Sequence, residues 1–240
     1  MRLSTRRVRA IVRKELREYR RHGSVVAATA IFPLIFLVQP LFVVFLAPGS
    51  SSALFGQWHL LLYMLAIPIL APAVLGAYAV AGERQQGSLE PVLTTPIPRE
   101  EFLLGKALAA LLPAVVIAYG VYGIFLGCVL LFADPDVAAA ILRVPDIVAQ
   151  VILTPLLAAL SIWIAIAIST RSSDVRVAQQ LSMLADVPVV LLTALIAFNV
   201  IPPTPALAVG LIAILLVADV GGWWIVSPMF DRERLITGPR

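Results

Sequence analysis

A single cysteine, two histidines and a charged fraction of only 13% are what this 240-residue chain has least of. Cys128 lies inside an apolar run, so the chain forms no intrachain disulfide and offers no paired thiolates to a metal. The two histidines, His22 and His59, are separated by a full apolar run, and neither H-E-x-x-H nor G-x-S-x-G occurs. No nucleophile, base and orienting group converge, which argues against catalysis by this chain alone. A nucleotide-binding P-loop is also missing. The Gly105-Lys106 pair is followed by Ala107 and has Glu100 where the first glycine of G-x-x-x-x-G-K-[ST] belongs.

Too few charges meet too many apolar residues. Hydrophobic residues make up 60% of the chain and mean hydropathy is +0.97, more than a soluble domain of this size can bury in one core. The surplus faces lipid. Hydrocarbon offers backbone N–H and C=O groups no water, and long uninterrupted apolar runs satisfy them as helices rather than as barrel strands. Such runs extend from about Val25 to Ala47, Leu60 to Ala81, Phe102 to Phe132, Ile147 to Ile168, Ala178 to Val200 and Ala206 to Ser227. Roughly 20 residues cross a ~30 Å core, so six spans are expected. The third run is too long, and its first turns, Phe102 to Leu112, are expected to tilt or lie at the interface with a bend at Pro113. The first run follows a charged stretch and continues to Ala47 without a small-residue cleavage site, so it reads as a span.

Lysines and arginines set the orientation. Seventeen of the eighteen fall before the first span or in the second, fourth and final connections, and Arg143 alone falls on the other side. The positive-inside rule then places both termini in the cytoplasm of a multi-pass plasma-membrane protein. The net charge of +4 is thus a matter of topology, and without an interleaved aromatic platform it does not indicate nucleic acid. Trp58, Trp163, Trp223 and Trp224 fall near span ends, as interfacial tryptophans do. The expected division is a basic amphipathic helix over 1–23, a six-span domain over 24–228 and a cytoplasmic tail over 229–240.

Within the first segment Val8, Ile11, Val12, Leu16 and Tyr19 recur at helical spacing among arginines and Lys14. That pattern predicts a helix flat on the inner leaflet, held by anionic lipid, serving as a topogenic anchor or resting against a cytosolic partner. The connection after the second span is long and polar. In it, Gly87-Ser88 is expected to open a short helix that shows Leu89, Val92 and Leu93 to the cytosol, closed by Thr95-Pro96 and Pro98. Exposed leucines of this kind call for a cover, either the chain's own amphipathic helix or another chain, and docking of a partner is the sharper reading.

Glu83, Arg84, Gly87, Ser88, Leu89, Glu90, Leu93, Thr95, Pro96, Glu101, Gly105 and Lys106 together resemble the cytoplasmic loop of ABC type-2 export permeases. The overall layout is similar across essentially the whole chain. The resemblance implies an all-α polytopic membrane protein with an N-terminal interface helix and a coupling helix, about Gln85 to Thr94, between spans two and three. It implies that this helix docks into a separate ATPase subunit, with Glu83 and Glu90 as polar and Leu89 and Leu93 as apolar contacts. Arg84 and Gly87 belong to the same motif. Pro91 departs from the expected helix and shortens it. ATP and magnesium would sit on the partner, this chain carrying no cofactor, and two ATPase and two permease subunits would form the unit, the permeases identical or not.

Asp186 and Asp219 stand inside spans five and six. A carboxylate there costs about 2.5–3.5 kcal/mol on insertion scales. Two readings stay open: a path for a cationic substrate or a proton, or acids close enough to the interface to reach water or pair with Arg176 and Arg232. Gly120, Gly123 and Gly127 share one face of the third span and suit helix packing, within the chain or at a permease dimer seam. The lipid-like spans favour export of a hydrophobic or amphipathic cargo, drug-like or lipid-like. An ABC-type sodium or haem exporter is the alternative, as is an ion-coupled secondary transporter using Asp186 and Asp219, although no inverted repeat supports the last.

Overall fold

The structure, a computed structural model, describes residues 4–21, 23–46, 57–87 and 97–230, and every regular element among them is helical. The helices are α1 (Thr5–Arg21), α2 (Gly23–Phe45), α3 (Leu60–Tyr63), α4 (Ala66–Gln85), α5 (Arg99–Phe132), α6 (Pro135–Ile141), α7 (Val144–Arg171), α8 (Val175–Ala197) and α9 (Pro205–Val226), with a 3₁₀ turn at Ser227–Phe230. Among the described residues five stretches stand out as long and apolar enough to cross a bilayer: Leu60–Gln85, Arg99–Phe132, Val144–Arg171, Val175–Ala197 and Pro205–Phe230.

Local chemistry sets several boundaries. Proline has no N–H for the i−4 carbonyl and its ring crowds that oxygen, so Pro68 disfavours a regular turn at Met64. The chain responds with i→i+3 bonds from Met64 N to Leu61 O and Leu65 N to Leu62 O, which divide α3 from α4. Asp174 caps α8 by accepting from the Arg176 and Val177 amides, and Thr204 caps α9 through the Leu207 amide. The Asp134-Pro135-Asp136 break is more than a turn, because Pro135 occupies the first position of the short helix α6.

α4 is buried around nearly its whole circumference, between α2, α5, α7 and α8. Its closest neighbour is α7, and side-chain-to-backbone bonds fix their register. Ser161 Oγ lies 2.6 Å from Ile69 O, and two turns further along Ser169 Oγ donates to Ala77 O at 2.6 Å while accepting from the Val80 and Ala81 amides. The constant offset makes α4 and α7 parallel, as expected of helices separated by one intervening span. Between the two serines Gly76 meets Ala165 so closely that a Cβ on Gly76 would lie 2.7 Å from the alanine methyl. α9 leans on α7 alone among the long helices, and Gly222 there gives room to Trp163, whose indole packs edge-on against Trp223. The outward faces of α8 and α9, including Leu184, Leu191, Val217 and Trp224, are exposed and apolar.

The third run forms α5, one helix of 34 residues, about 51 Å long, that continues through Pro113. Its first turns bury Phe102, Leu103, Lys106 and Ala110. α1 packs against α5 and against α2. Its predicted apolar face therefore meets protein: Ile11 and Tyr19 join Phe102, Leu103 and Ala107 in one core cluster, with Val12 and Leu16 against it. The approach is close enough that a Cβ on Gly105 would lie 2.6 Å from Ile11.

Candidate functional site

Where α1, the end of α4 and the start of α5 converge, a charged cluster is built into the apolar packing. α1 carries Glu15 in the middle of its buried stripe, one turn beyond Ile11 and one before Tyr19. α4 contributes Glu83, only 1% exposed, and α5 contributes Lys106, which is fully buried. The Lys106 ammonium has three partners: Glu15 Oε1 at 3.2 Å, Glu83 Oε1 at 3.1 Å and the Ala79 carbonyl at 2.6 Å. These use its three N–H donors, and the Phe102 ring lies 4.9 Å away on a further side. Lys14 adds a second cation from the solvent side, 2.6 Å from Glu83, 3.0 Å from Glu15 and 3.2 Å from Glu18.

Two ammonium groups thus face three carboxylates. Glu15, Glu18 and Glu83 offer oxygens within 4.8 Å of one another, a spacing that suits a metal, but the lysines already supply the positive charge between them. Burial pushes the Glu15 carboxyl up, yet Lys106 and then Lys14 outweigh it and hold it below the ordinary 4.5. For Lys14 burial works downward and is overcome by Glu15 and Glu83, which hold the ammonium above the usual lysine range. Burial first, and then the field of Glu15, Glu18 and Glu83, pushes the Tyr19 phenol well above its ordinary value.

A second contact fastens the start of α1. Glu101 of α5 is buried and accepts from the Ser4 amide at 2.8 Å and from Arg7 at 3.4 Å, placing an anion at the positive end of the α1 dipole. Arg84 extends the fastening to α7. Its guanidinium donates to Ser172 O at 2.6 Å and Thr170 O at 3.2 Å, carbonyls at a helix C-terminus that have no intrahelical donor.

Gly87 directly follows the C-cap of α4. Its φ of +67° puts it in the left-handed region, the position after a C-cap where the lack of a Cβ matters, and its amide returns to Arg84 O. Ser88, Leu89, Glu90, Pro91, Val92, Leu93, Thr95 and Pro96 lie outside the described residues. The chain re-enters at Ile97, packed on the α1–α5 core, and Pro98 then precedes α5. Of the residues singled out by sequence, Glu83 and Arg84 therefore point into the protein at the root of this connection.

The remaining predicted residues do not converge. Asp186 is 1% exposed, with Oδ2 2.7 Å from Ser161 Oγ and no ion pair to Arg176 among the described residues. Asp219 is half-buried on α9, its Oδ1 shielded and without a hydrogen bond among those residues, while Arg232 lies outside them. An added Cβ at Gly120, Gly123 or Gly127 meets no atom of the described residues within 4 Å.

Sequence reasoning missed two polar groupings. One is the lysine–carboxylate cluster, whose signals were an acid at an apolar position of α1 and a lone lysine in an apolar run. The other lies at the opposite end of the bundle, where His59 Nδ1 is 2.8 Å from Asp146 Oδ2, Arg143 Nη1 is 3.5 Å from His59 Nε2, and the His59 amide donates to Ala197 O.

The family model of ABC-2 family transporter proteins matches residues 9–210. A search of curated proteins found no match.

Proposed function

The chain belongs to the ABC-2 transporter family, and from that premise we propose that it is the permease of an ATP-driven exporter for a hydrophobic or amphipathic cargo, drug-like or lipid-like. It is the membrane component and lacks a nucleotide-binding domain, and in such systems a partner ATPase hydrolyses ATP. In this reading α2 is a sixth span, its 23 residues being long enough to cross, and the arginine-rich end bearing α1 faces the cytoplasm. Residues 1–23, 24–228 and 229–240 then form interface helix, spanning domain and tail.

The observation that carries the proposal is where the charged cluster stands. Glu83 and Lys106 flank the connection bearing Leu89, Glu90 and Leu93; buried ion pairs join them to each other and Lys106 to Glu15 of α1, and the half-exposed Lys14 of α1 adds a further pair to Glu83. A push on that connection by an ATPase reaches α4, α5 and α1 as one body, and through Arg84 reaches the end of α7. Coupling needs such a rigid seat, because a flexible root would absorb the displacement. Glu83 and Arg84 serve this seat, and contact with the ATPase falls to Leu89, Glu90 and Leu93. A second permease subunit, identical or related, completes the path for the cargo.

Replacing Leu89 and Leu93 together by Asp tests the reading. Membrane insertion persists and co-purification with the cognate ATPase is lost; full recovery of the ATPase with the double variant would refute the docking role.

A further inference from the structure

We infer that Asp186 carries a proton inside the helical bundle and that this proton clasps α8 to the α4–α7 pair. The proposal goes beyond export itself and does not depend on which cargo is moved. It rests on counting hydrogens at one oxygen. Ser161 Oγ lies 2.6 Å from Ile69 O of α4 and 2.7 Å from Asp186 Oδ2 of α8, and both side chains are only 1% exposed. A serine hydroxyl has one hydrogen. The Ile69 carbonyl can only accept, and an ionised aspartate can only accept. With a charged Asp186, one of these two short contacts would hold two oxygens together with no hydrogen between them.

Protonation removes the conflict. The Asp186 O–H donates to Ser161 Oγ, and the Ser161 O–H donates to Ile69 O, giving a two-link chain across α8, α7 and α4. Asp186 Oδ1 agrees with this, for it is buried and has no hydrogen-bond partner among the described residues. A neutral carbonyl oxygen tolerates that position far better than half of a delocalised negative charge, whose burial without a partner is strongly unfavourable. Ser169, two turns along the same helix, obeys the same count: it donates once, to Ala77 O, and every other contact to it comes from an N–H.

Among the described residues no cation pairs with Asp186. On α8 the nearest charged residue is Arg176, ten residues or about 15 Å along the helix. On α7 Arg171 is ten residues from Ser161 and Asp146 fifteen, about 15 and 22 Å. On α4 Tyr78 is nine residues from Ile69, about 14 Å, with Glu83 and Arg84 further on. His59 and Tyr63 belong to the α3 end, and Asp219 is carried by α9, which packs on α7. None of these forms a hydrogen bond or ion pair with Asp186 among the described residues.

Removing the proton leaves a charge that neither Ser161 nor its surroundings can satisfy, so the ionised carboxylate gains by parting α8 from α4 and α7 and admitting water. Proton binding closes that seam and proton release opens it.

Infrared spectra of the full-length chain in lipid nanodiscs at neutral pH test the proton directly. Wild type minus Asp186→Asn should contain a protonated-carboxyl C=O band, displaced in Ser161→Ala where its acceptor is gone. A difference spectrum with carboxylate bands alone overturns the inference. Asn retains an N–H for Ser161, so this variant keeps the clasp. Its melting temperature should stay level as pH is raised while that of wild type falls, and parallel pH profiles would refute the clasp. Should Asp186→Asn fail to fold, wild type decides: a hydrophobic carbodiimide, which reacts with protonated carboxyls, modifies Asp186 at neutral pH if the inference holds and leaves it unmodified if it does not.

Discussion

Lys106 Nζ and Glu83 Oε1, 3.1 Å apart, close a loop of the chain that contains Leu89 and Leu93. Both groups are out of water, and the lysine's remaining donors are taken by Glu15 and Ala79 O. The pair is therefore a fixed joint between α4 and α5.

Breaking this joint by Lys106→Met leaves buried carboxylates facing only Lys14, and loss of one partner of a buried pair costs about 3–5 kcal/mol. The variant should melt markedly lower in nanodiscs, and ATP hydrolysis by the assembled complex should become insensitive to cargo. Adding Glu15→Gln and Glu83→Gln should recover much of the stability, because the unpaired charges are then gone. A triple variant no better than Lys106→Met would show that packing rather than charge held the joint.

Acid should release α1 late. The free Glu15 carboxyl takes up its proton near 4.5 and the docked one at lower pH, so docking is fully supported above 4.5 and weakens as pH falls through the docked value. A fluorophore on exposed position 13, in a Cys128→Ala chain, should report a docked helix from neutral pH down to 4.5 and release only in stronger acid. In Glu15→Gln the Glu15-linked part of that acid step should vanish.

The α4–α7 contact should resist added bulk at Gly76. A side chain there meets the Ala165 methyl at 2.7 Å and the Ile162 backbone at 3.5 Å, and overpacking of this kind costs about 1–3 kcal/mol. Gly76→Val should lower thermal stability by that order, and Ala165→Gly in the same chain should restore part of it. Denaturation curves of the single and double variants measure the coupling.

The glycine face of α5 should behave in the opposite way. Gly123→Leu meets open space, so the isolated chain should keep its stability within about 0.5 kcal/mol. If this face seats a second permease, the same variant shifts the purified complex toward single permeases by size exclusion with light scattering. An unchanged assembly would assign the face to lipid.

Five long apolar helices and the amphipathic first helix were legible in sequence, because hydrophobic length and 3.6-residue periodicity are local properties that lipid and water read directly. Membership in a transporter family followed from the motif that runs from Glu83 to Lys106. Other features were out of reach. Val8, Ile11 and Tyr19 announce an apolar face, but nothing local says that it meets α5 instead of lipid, or that Glu15 within it finds Lys106 ninety-one residues away. Asp186 read either as part of a cation or proton path or as an acid that reaches water or an arginine; among the described residues its hydrogen-bond partner is a serine twenty-five residues earlier, which the packing of α8 on α7 brings to it. The sequence alone determined which segments leave water, since transfer free energy adds up residue by residue along the chain. Which buried polar groups meet was decided only by the tertiary structure, because a hydrogen bond or ion pair between helices depends on angstrom-scale register that close packing at Gly76, Gly105 and Gly222 sets.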